Sequence, residues 1–315
     1  MCTAVKFTDD TGNMYFGRNL DWSEGYGESV VITPRKYNYK SAFLGENDKG
    51  LAVIGMAVIA ENTPLYFDCA NEAGLAIAGL NFPGYAKYEE APISGKTNLA
   101  AYEFPLWVAR NFKNVDELIK ILPTVKIIAK PINKQYPVSE LHWMVGDSKR
   151  SITIEYTEDG MNYYDNVIDV LANQPTFDWH KENLRNYLNV FPKGPKEVEW
   201  GQVTINAFGA GALTRGLPGD YYSPSRFVRA AYFNTHYPVK TTEIDNVTRL
   251  FRTLSGVSMI EGASVMADWV YEKTIYTGGY SSKTQTYYYS TYDDPSIKSV
   301  VMGEYNLGLS TLITA

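Results

Sequence analysis

Over much of the first half of the chain, apolar and polar positions alternate with a period of two, as expected of half-buried strands. Residues 4–7 and 14–18 flank Asp9-Asp10-Thr11-Gly12-Asn13, a turn cluster of the kind that closes hairpins. Strand-like runs follow at 29–33, 52–59, 65–68 and 75–82, with Gly, Pro and Asn at their boundaries. From 101 to 112 the apolar spacing becomes helical, and Asn114-Val115-Asp116-Glu117 resembles a capping box opening a second helix through Leu122. Residues 127–138 hold Pro131 and Pro137 without a clear period and read as a surface loop. Residues 142–146 and 151–156 read as a hairpin, which 161–164 continues.

Helical spacing returns over 176–190, and the Gly- and Pro-rich segment after it, through Asp220, has no strong period. Ser223-Pro224 supplies an N-cap and a Pro at the first helical position for a helix over 225–236. Residues 242–255 form another amphipathic helix, and tyrosine-rich strands close the chain at 271–277, 284–292 and 299–302. No repeat or linker interrupts this order of strands, helices, strands, helices, strands. It predicts one α+β domain over residues 1–315, in which strands from both ends share a sheet. The missing βαβ alternation argues against a dinucleotide-binding fold.

Composition narrows the function. A chain of 315 residues that is 45% hydrophobic can bury a large core. Its net charge of −6 comes without a basic stripe, which argues against nucleic acid and anionic membranes as partners. The start, MCTAVKFTDD, lacks the basic and apolar regions of a signal peptide, and stretches such as 51–60 are too short to span a bilayer. Gly95-Lys96-Thr97 ends like a phosphate loop but has Glu90 where the earlier glycine is required, and Gly209-Ala210-Gly211 lacks a third glycine. Neither supports a nucleotide site. His142, His180 and His236 stand singly, without metal-ligand spacing, and read as structural histidines, so no metal is expected. The 25 tyrosines suit half-buried strands and an apolar cleft without specifying chemistry.

Cys2 and Cys69 are the only cysteines, too few for a disulfide scaffold, and they point to a reducing, cytoplasmic setting. A bridge between the two is one competing reading, and an incidental second residue is another. Cys2 carries a further prospect. Once Met1 is removed, that residue holds a thiol nucleophile and a free α-amine, whose reference pKa of about 7.7 to 8 suits it to act as a base near neutrality. Such a nucleophile needs a positive charge beside the thiolate, an acceptor for the amine and donors facing a developing oxyanion. If the first two strands pair, Gly17-Arg18-Asn19-Leu20-Asp21 brings Arg18 and Asp21 back to the amino terminus to supply the first two. A solvated Arg–Asp pair at a strand end is the alternative.

Longer motifs tip the balance. Met1-Cys2-Thr3, Tyr15-Phe16-Gly17-Arg18-Asn19-Leu20-Asp21, Tyr66-Phe67-Asp68, Asn71-Glu72-Ala73-Gly74-Leu75, Ala78-Gly79-Leu80-Asn81-Phe82-Pro83-Gly84, Asn173-Gln174-Pro175-Thr176-Phe177 and Ser223-Pro224-Ser225-Arg226-Phe227 resemble the choloylglycine hydrolase family. The likeness runs from Cys2 to Asp293 and is strongest to the bacterial members that act on bile salts. It implies an N-terminal nucleophile hydrolase fold, an αββα sandwich of two antiparallel sheets between helical layers. It also implies roles: Cys2 as nucleophile with its own α-amine as general base, Arg18 and Asp21 to tune and orient it, Asn81 and Asn173 to frame the oxyanion, and Arg226 to complete the network.

The expected reaction is hydrolysis of the amide joining a bile acid to glycine or taurine, with no cofactor. By position in the family, the acyl pocket draws on loops 22–26, 59–65 and 129–138, and Trp22, Tyr26, Ile59, Leu65 and Ile132 are its candidate wall residues. Penicillin V acylase is the nearest rival, and there the position of Asn81 tends to be tyrosine. A catalytically silent aromatic-rich binding protein and a disulfide-stabilised structural protein are remoter readings. Family members are often homotetramers, for which residues 192–220 are a candidate arm.

Overall fold

The computed structural model describes residues 1–194, 196–266 and 269–315. One antiparallel sheet contains β1 (Cys2–Thr8), β2 (Met14–Trp22), β14 (Val170–Leu171), β17 (Lys273–Ser281), β18 (Thr286–Thr291) and β19 (Lys298–Val301), in the order β14-β1-β2-β17-β18-β19. Strands from the two ends of the chain therefore share it, as expected. Its first hairpin closes where Asp9 Oδ1 accepts from the Thr11 and Asn13 amides and Gly12 takes a positive φ of 79°. The resulting register sets Cys2 opposite Leu20 and Ala4 opposite Arg18. Because side chains alternate across a strand, Cys2 and Arg18 share a face.

The second antiparallel sheet contains β3 (Ser29–Thr33), β6 (Val53–Ala60), β7 (Thr63–Asn71), β8 (Ala76–Asn81), β11 (Leu141–Gly146), β12 (Ser151–Thr157), β13 (Gly160–Asp165) and β20 (Ile313–Thr314). Alternation along β8 shows how it is sandwiched: Ala76, Ala78 and Leu80 join a core shared with the first sheet, and Ile77 joins a core on the outer side. Helices α1 (Phe104–Asn111) and α2 (Val115–Ile121) cover that outer side through Phe104, Val108 and Leu118. Helices α4 (Ser223–His236) and α5 (Glu243–Ser255) cover the first sheet through Phe227, Leu250 and Leu254, and α3 (Phe177–Asn183) packs beside α4. The layers are α, β, β, α: the sandwich of the N-terminal nucleophile hydrolases.

The structure departs from the sequence pattern in a few places. The expected loop 127–138 begins inside β10 (Val125–Ile128), which pairs in parallel with β9 (Thr97–Ala100) and buries Val125 and Ile127. A short hairpin of β4 (Tyr39–Ser41) and β5 (Gly45–Asn47) adds a further pair. The helix expected to run to 190 stops at Asn183 and continues as a 3-10 turn, Leu184–Tyr187. Leu188, one turn on from Leu184, is exposed while Val190 is buried, so the buried apolar positions no longer repeat at helical spacing. Helix α4 starts at Ser223 with Tyr222 as its N-cap, which moves Ser223 and Pro224 into the first turn. Asn114 caps α2 as anticipated by accepting from the Glu117 amide at 2.9 Å. The irregular segment 192–220, of which Pro195 lies outside the described residues, contains an exposed hairpin of β15 (Glu197–Trp200) and β16 (Val203–Asn206). Among the described residues, no helix is long and apolar enough to cross a membrane.

Strand β17 was expected to end at Thr277 but runs on through Gly278-Gly279, where glycine is required by close approach. A Cβ on Gly17 would lie 2.5 Å from the Gly278 carbonyl oxygen, and one on Gly279 would lie 2.5 Å from Leu250 Cδ2 of α5. These glycines let β2, β17 and α5 pack closely, and on the opposite face of the sheet Arg18 stands beside Gly278 in register. Gly17→Ala should therefore destabilise the protein by about 1–3 kcal/mol through overpacking against backbone. Chemical denaturation measures this, and an unchanged midpoint would refute the packing argument.

Candidate active site

Cys2 opens β1 and is 3% exposed. Its Sγ accepts a hydrogen bond from Arg18 Nη2 at 2.6 Å. Arg18 is fully buried, with Nε donating to the Asn19 carbonyl at 3.0 Å and Nη1 to the Phe67 carbonyl at 3.2 Å. Its guanidinium lies 5.8 Å from the centre of the Tyr276 ring. Burial disfavours the charge, but Cys2, Tyr276, Asp68 and Asp21 together hold the Arg18 pKa above its ordinary value.

Asp68, on β7 of the other sheet, is buried behind Arg18. Tyr276 donates to its Oδ1, and Tyr287 donates to its Oδ2 at 2.7 Å. Burial raises the Asp68 pKa, and Arg18 and the two phenols work against that rise. Burial, then Asp68, push both phenol pKa values well above ordinary, so they remain donors. Gly278 makes room for this contact, since a Cβ there would lie 2.2 Å from the Tyr287 hydroxyl. Read from the sequence, this cluster was missed, although Tyr66-Phe67-Asp68 and Gly278-Gly279 are its traces.

The amino terminus extends the pairing of β1 and β2. The Met1 ammonium donates to the Asp21 carbonyl at 2.6 Å and pairs with Glu272, and the Asp21 amide donates to the Met1 carbonyl at 2.8 Å. With Met1 attached, the Cys2 nitrogen is a peptide amide, and it donates to Asn173 Oδ1 at 2.7 Å. Arg226 Nη2 donates to the same oxygen at 2.7 Å, and Asn173 Nδ2 donates to the Asn81 carbonyl at 2.7 Å. A guanidinium only donates and a peptide carbonyl only accepts, so these partners fix which way the Asn173 amide points.

Arg226, near the start of α4, also donates through Nη1 to the Cys2 carbonyl and to Thr3 Oγ1, both at 2.6 Å. That nitrogen lies 4.0 Å from Asp21 Oδ2. Burial lowers the Arg226 pKa, with Asp21 the strongest opposing influence. Asp21 Oδ1 accepts from Thr274 Oγ1 at 2.6 Å, whereas its buried Oδ2 has no hydrogen-bond partner among the described residues. Burial raises the Asp21 pKa, and the amino terminus and Arg226 pull it back.

Cys2, Arg18, Asp21 and Asn81 open onto a cavity of about 390 Å³, a size suited to a small organic ligand. Trp22, Tyr26, Leu65 and Ile132 line it, together with Phe67, Tyr102 and Pro137. Ile59 does not. It is 43% exposed, and its neighbour Val58 on β6 forms the wall instead. Asn173 and Arg226 also lie off the wall; Asn173 reaches the cavity through its bonds to Cys2 and to Asn81, which does line it. Cys2 and Cys69 are both free thiols, which removes the bridge between them as a reading. Burial raises the Cys69 pKa well above ordinary, which suits an inert core residue.

The arrangement combines a sulfur beside a fixed cation, acceptors around the Cys2 nitrogen and an apolar cavity, all of which acyl transfer requires. Comparison with known proteins agrees. The family model for linear amide C–N hydrolases, choloylglycine hydrolase family, matches residues 2–315. The bile salt hydrolase/transferase of Bifidobacterium longum is 53% identical over 315 residues, covering all of this chain and 99% of that protein. The conjugated bile acid hydrolase of Lactobacillus acidophilus is 42% identical, with both chains fully covered. A crystal structure of the conjugated bile acid hydrolase from Clostridium perfringens superposes with a TM-score of 0.93 at 34% identity, covering 100% of this chain and 96% of that one. The chain therefore belongs to the choloylglycine hydrolase family of linear amide C–N hydrolases.

Proposed function

We propose that this protein is a bile salt hydrolase that cleaves the amide between a bile acid and glycine or taurine. The observation that carries the reading is Cys2 Sγ, hydrogen-bonded to a buried Arg18, at the wall of an apolar-lined cavity of about 390 Å³. The names of the relatives above support the substrate class. In this reading the whole chain acts as one domain, and Met1 is removed to free the Cys2 α-amine. Asn173 Oδ1 already accepts from that nitrogen, and the unpartnered Asp21 Oδ2 is an acceptor in reserve for the hydrogens it gains.

The reaction then balances without a cofactor. The thiol proton passes to the α-amine, and Arg18 stabilises the thiolate. The sulfur attacks the amide carbon, and the oxyanion forms beside Asn81, with Asn173 bracing Asn81 from behind. The α-ammonium returns its proton to the departing nitrogen, which releases glycine or taurine and leaves a thioester on Cys2. Water, deprotonated by the same amine, attacks the thioester carbon; the C–S bond breaks to release the free bile acid, and the α-ammonium returns its proton to the sulfur. Trp22, Tyr26, Leu65 and Ile132 would hold the steroid.

Two finer readings belong with this one. A nucleophile that must stay a free thiol suits a reducing cytoplasm. The hairpin of β15 and β16 exposes Val198, Trp200, Val203 and Ile205, and Phe208 follows it, which supports the segment 192–220 as the arm of a homotetramer.

Intact mass of the active enzyme should correspond to loss of Met1, and Cys2→Ala should abolish release of amino acid while preserving the fold. Assays of glycocholate, taurocholate and penicillin V side by side decide the substrate class, and a preference for penicillin V would overturn it. Replacing Trp200 and Val203 together by Glu should reduce the assembly mass in light scattering without unfolding the chain; an unchanged mass would count against the arm.

A further inference from the structure

Two buried histidines lie outside the acyl-transfer path, yet both hold the segment that carries Asn173. His142, on β11, has Nε2 2.8 Å from the Ala172 carbonyl and Nδ1 3.3 Å from Glu155. Its ring stacks on Phe82, the residue after Asn81, with centroids 4.1 Å apart. His180, on α3, has Nε2 2.9 Å from the Asn173 carbonyl. Its ring stacks on Phe227, the residue after Arg226, at 4.6 Å. Since carbonyl oxygens only accept, both Nε2 atoms carry hydrogen. Each ring thus joins the Asn173 segment to the neighbour of another residue of the site: His142 on the Asn81 side, His180 on the Arg226 side.

We propose that His142 and His180 are positioning residues, their Nε2–H groups clamping the successive carbonyls of Ala172 and Asn173 so that the Asn173 amide meets Cys2 and Asn81 in one fixed geometry. The proposal rests on the reading of Cys2 as the nucleophile. Such a site must be held to about 0.5 Å, and a hydrogen-bonded backbone carbonyl on each side of the Asn173 nitrogen supplies that constraint. His180 does this work as a neutral ring. Burial lowers its pKa to about 4, with His142 and Arg226 as the charged or chargeable groups that oppose its protonation. Its Nδ1 is buried with no hydrogen-bond partner among the described residues, so a second proton there would find none of them to donate to.

A neutral donor at the Nε2 position is therefore what the site needs. Gln can place an amide hydrogen there, Asn reaches only the Nδ1 position, and Leu has no donor. In the Met1-free enzyme, His180→Gln should keep most of kcat toward glycocholate, whereas His180→Asn and His180→Leu should lose about 10- to 100-fold in kcat with little change in KM. Alkylation of Cys2 by iodoacetamide at neutral pH, which needs no bile salt, should slow in the same order. Failure of the substrate reading shows as absent turnover in the unaltered enzyme, while the alkylation series still tests the clamp.

Thermal melting adds a second measurement that does not rely on turnover. A ring whose pKa is about 4 folded and about 6.5 unfolded contributes stability that is complete above pH 6.5 and lost as pH falls toward 4. His180→Gln should flatten that loss. Equal kcat and equal alkylation in the Gln and Asn variants, or an acid slope in His180→Gln matching the parent, would overturn the proposal.

Discussion

Two guanidinium groups held out of water between layers of this sandwich dictate the arrangement of everything near them. Arg18 and Arg226 are both fully buried, and an unpaired buried charge is too costly for a fold to carry. Each is met by acceptors from several elements: Arg18 by two backbone carbonyls and the Cys2 sulfur, Arg226 by the Cys2 and Tyr221 carbonyls, Thr3 and Asn173. Asp68 and Asp21 supply negative charge behind and between them, and neither carboxylate chelates a guanidinium directly. The cations therefore keep donor hydrogens for the residues at the amino terminus. Satisfying these two arginines and building the nucleophile's surroundings are the same structural task.

The hairpin that carries this arrangement was legible in the sequence, because a turn cluster and two alternating strands fix a local register that brings Arg18 and Asp21 back to residue 2. The helices were legible where an apolar stripe met a capping residue, as at Asn114, or where the stripe alone was strong, as over 242–255. Asn81, Asn173 and Arg226 were identified by resemblance to a family; as isolated residues the asparagines read as turns. The Asp68 cluster was not legible, since its tyrosines lie 208 and 219 positions away and belong to the opposite sheet. No local period encodes such a contact. Ile59, chosen by its place in the family, is a different case. The register shift opposite Met56 and Ala57 adds Phe67 to β7 and leaves the alternation of β6 intact, so Val53 and Ala57 face the outer core, Ile54 and Met56 the shared core, and Val58, on the face of Ile54 and Met56, reaches the cavity.

The tyrosine excess also takes on a structural meaning. Tyr276 and Tyr287 use their rings as packing and their hydroxyls to keep a buried carboxylate hydrogen-bonded, a combination phenylalanine cannot provide. Their hydroxyls reach from one sheet to Asp68 on the other and so tie the two sheets together. Gly278 is part of the same constraint, since the Tyr287 hydroxyl occupies the space where its Cβ would be.

Part of the cavity wall is built from a different material than the nucleophile's surroundings. Cys2, Arg18 and Asp21 sit on paired strands, as do the wall residues Trp22, Val58, Leu65 and Phe67, whereas Tyr26, Ile132 and Pro137 come from connecting segments. Connecting segments tolerate substitution and changes in length far better than paired strands do. Heritable variation can therefore accumulate on the acyl-recognition side and leave the bond-breaking machinery untouched. On such a scaffold, a lineage exposed to a new mixture of amides can change its diet by remodelling loops, with no need to reinvent the chemistry.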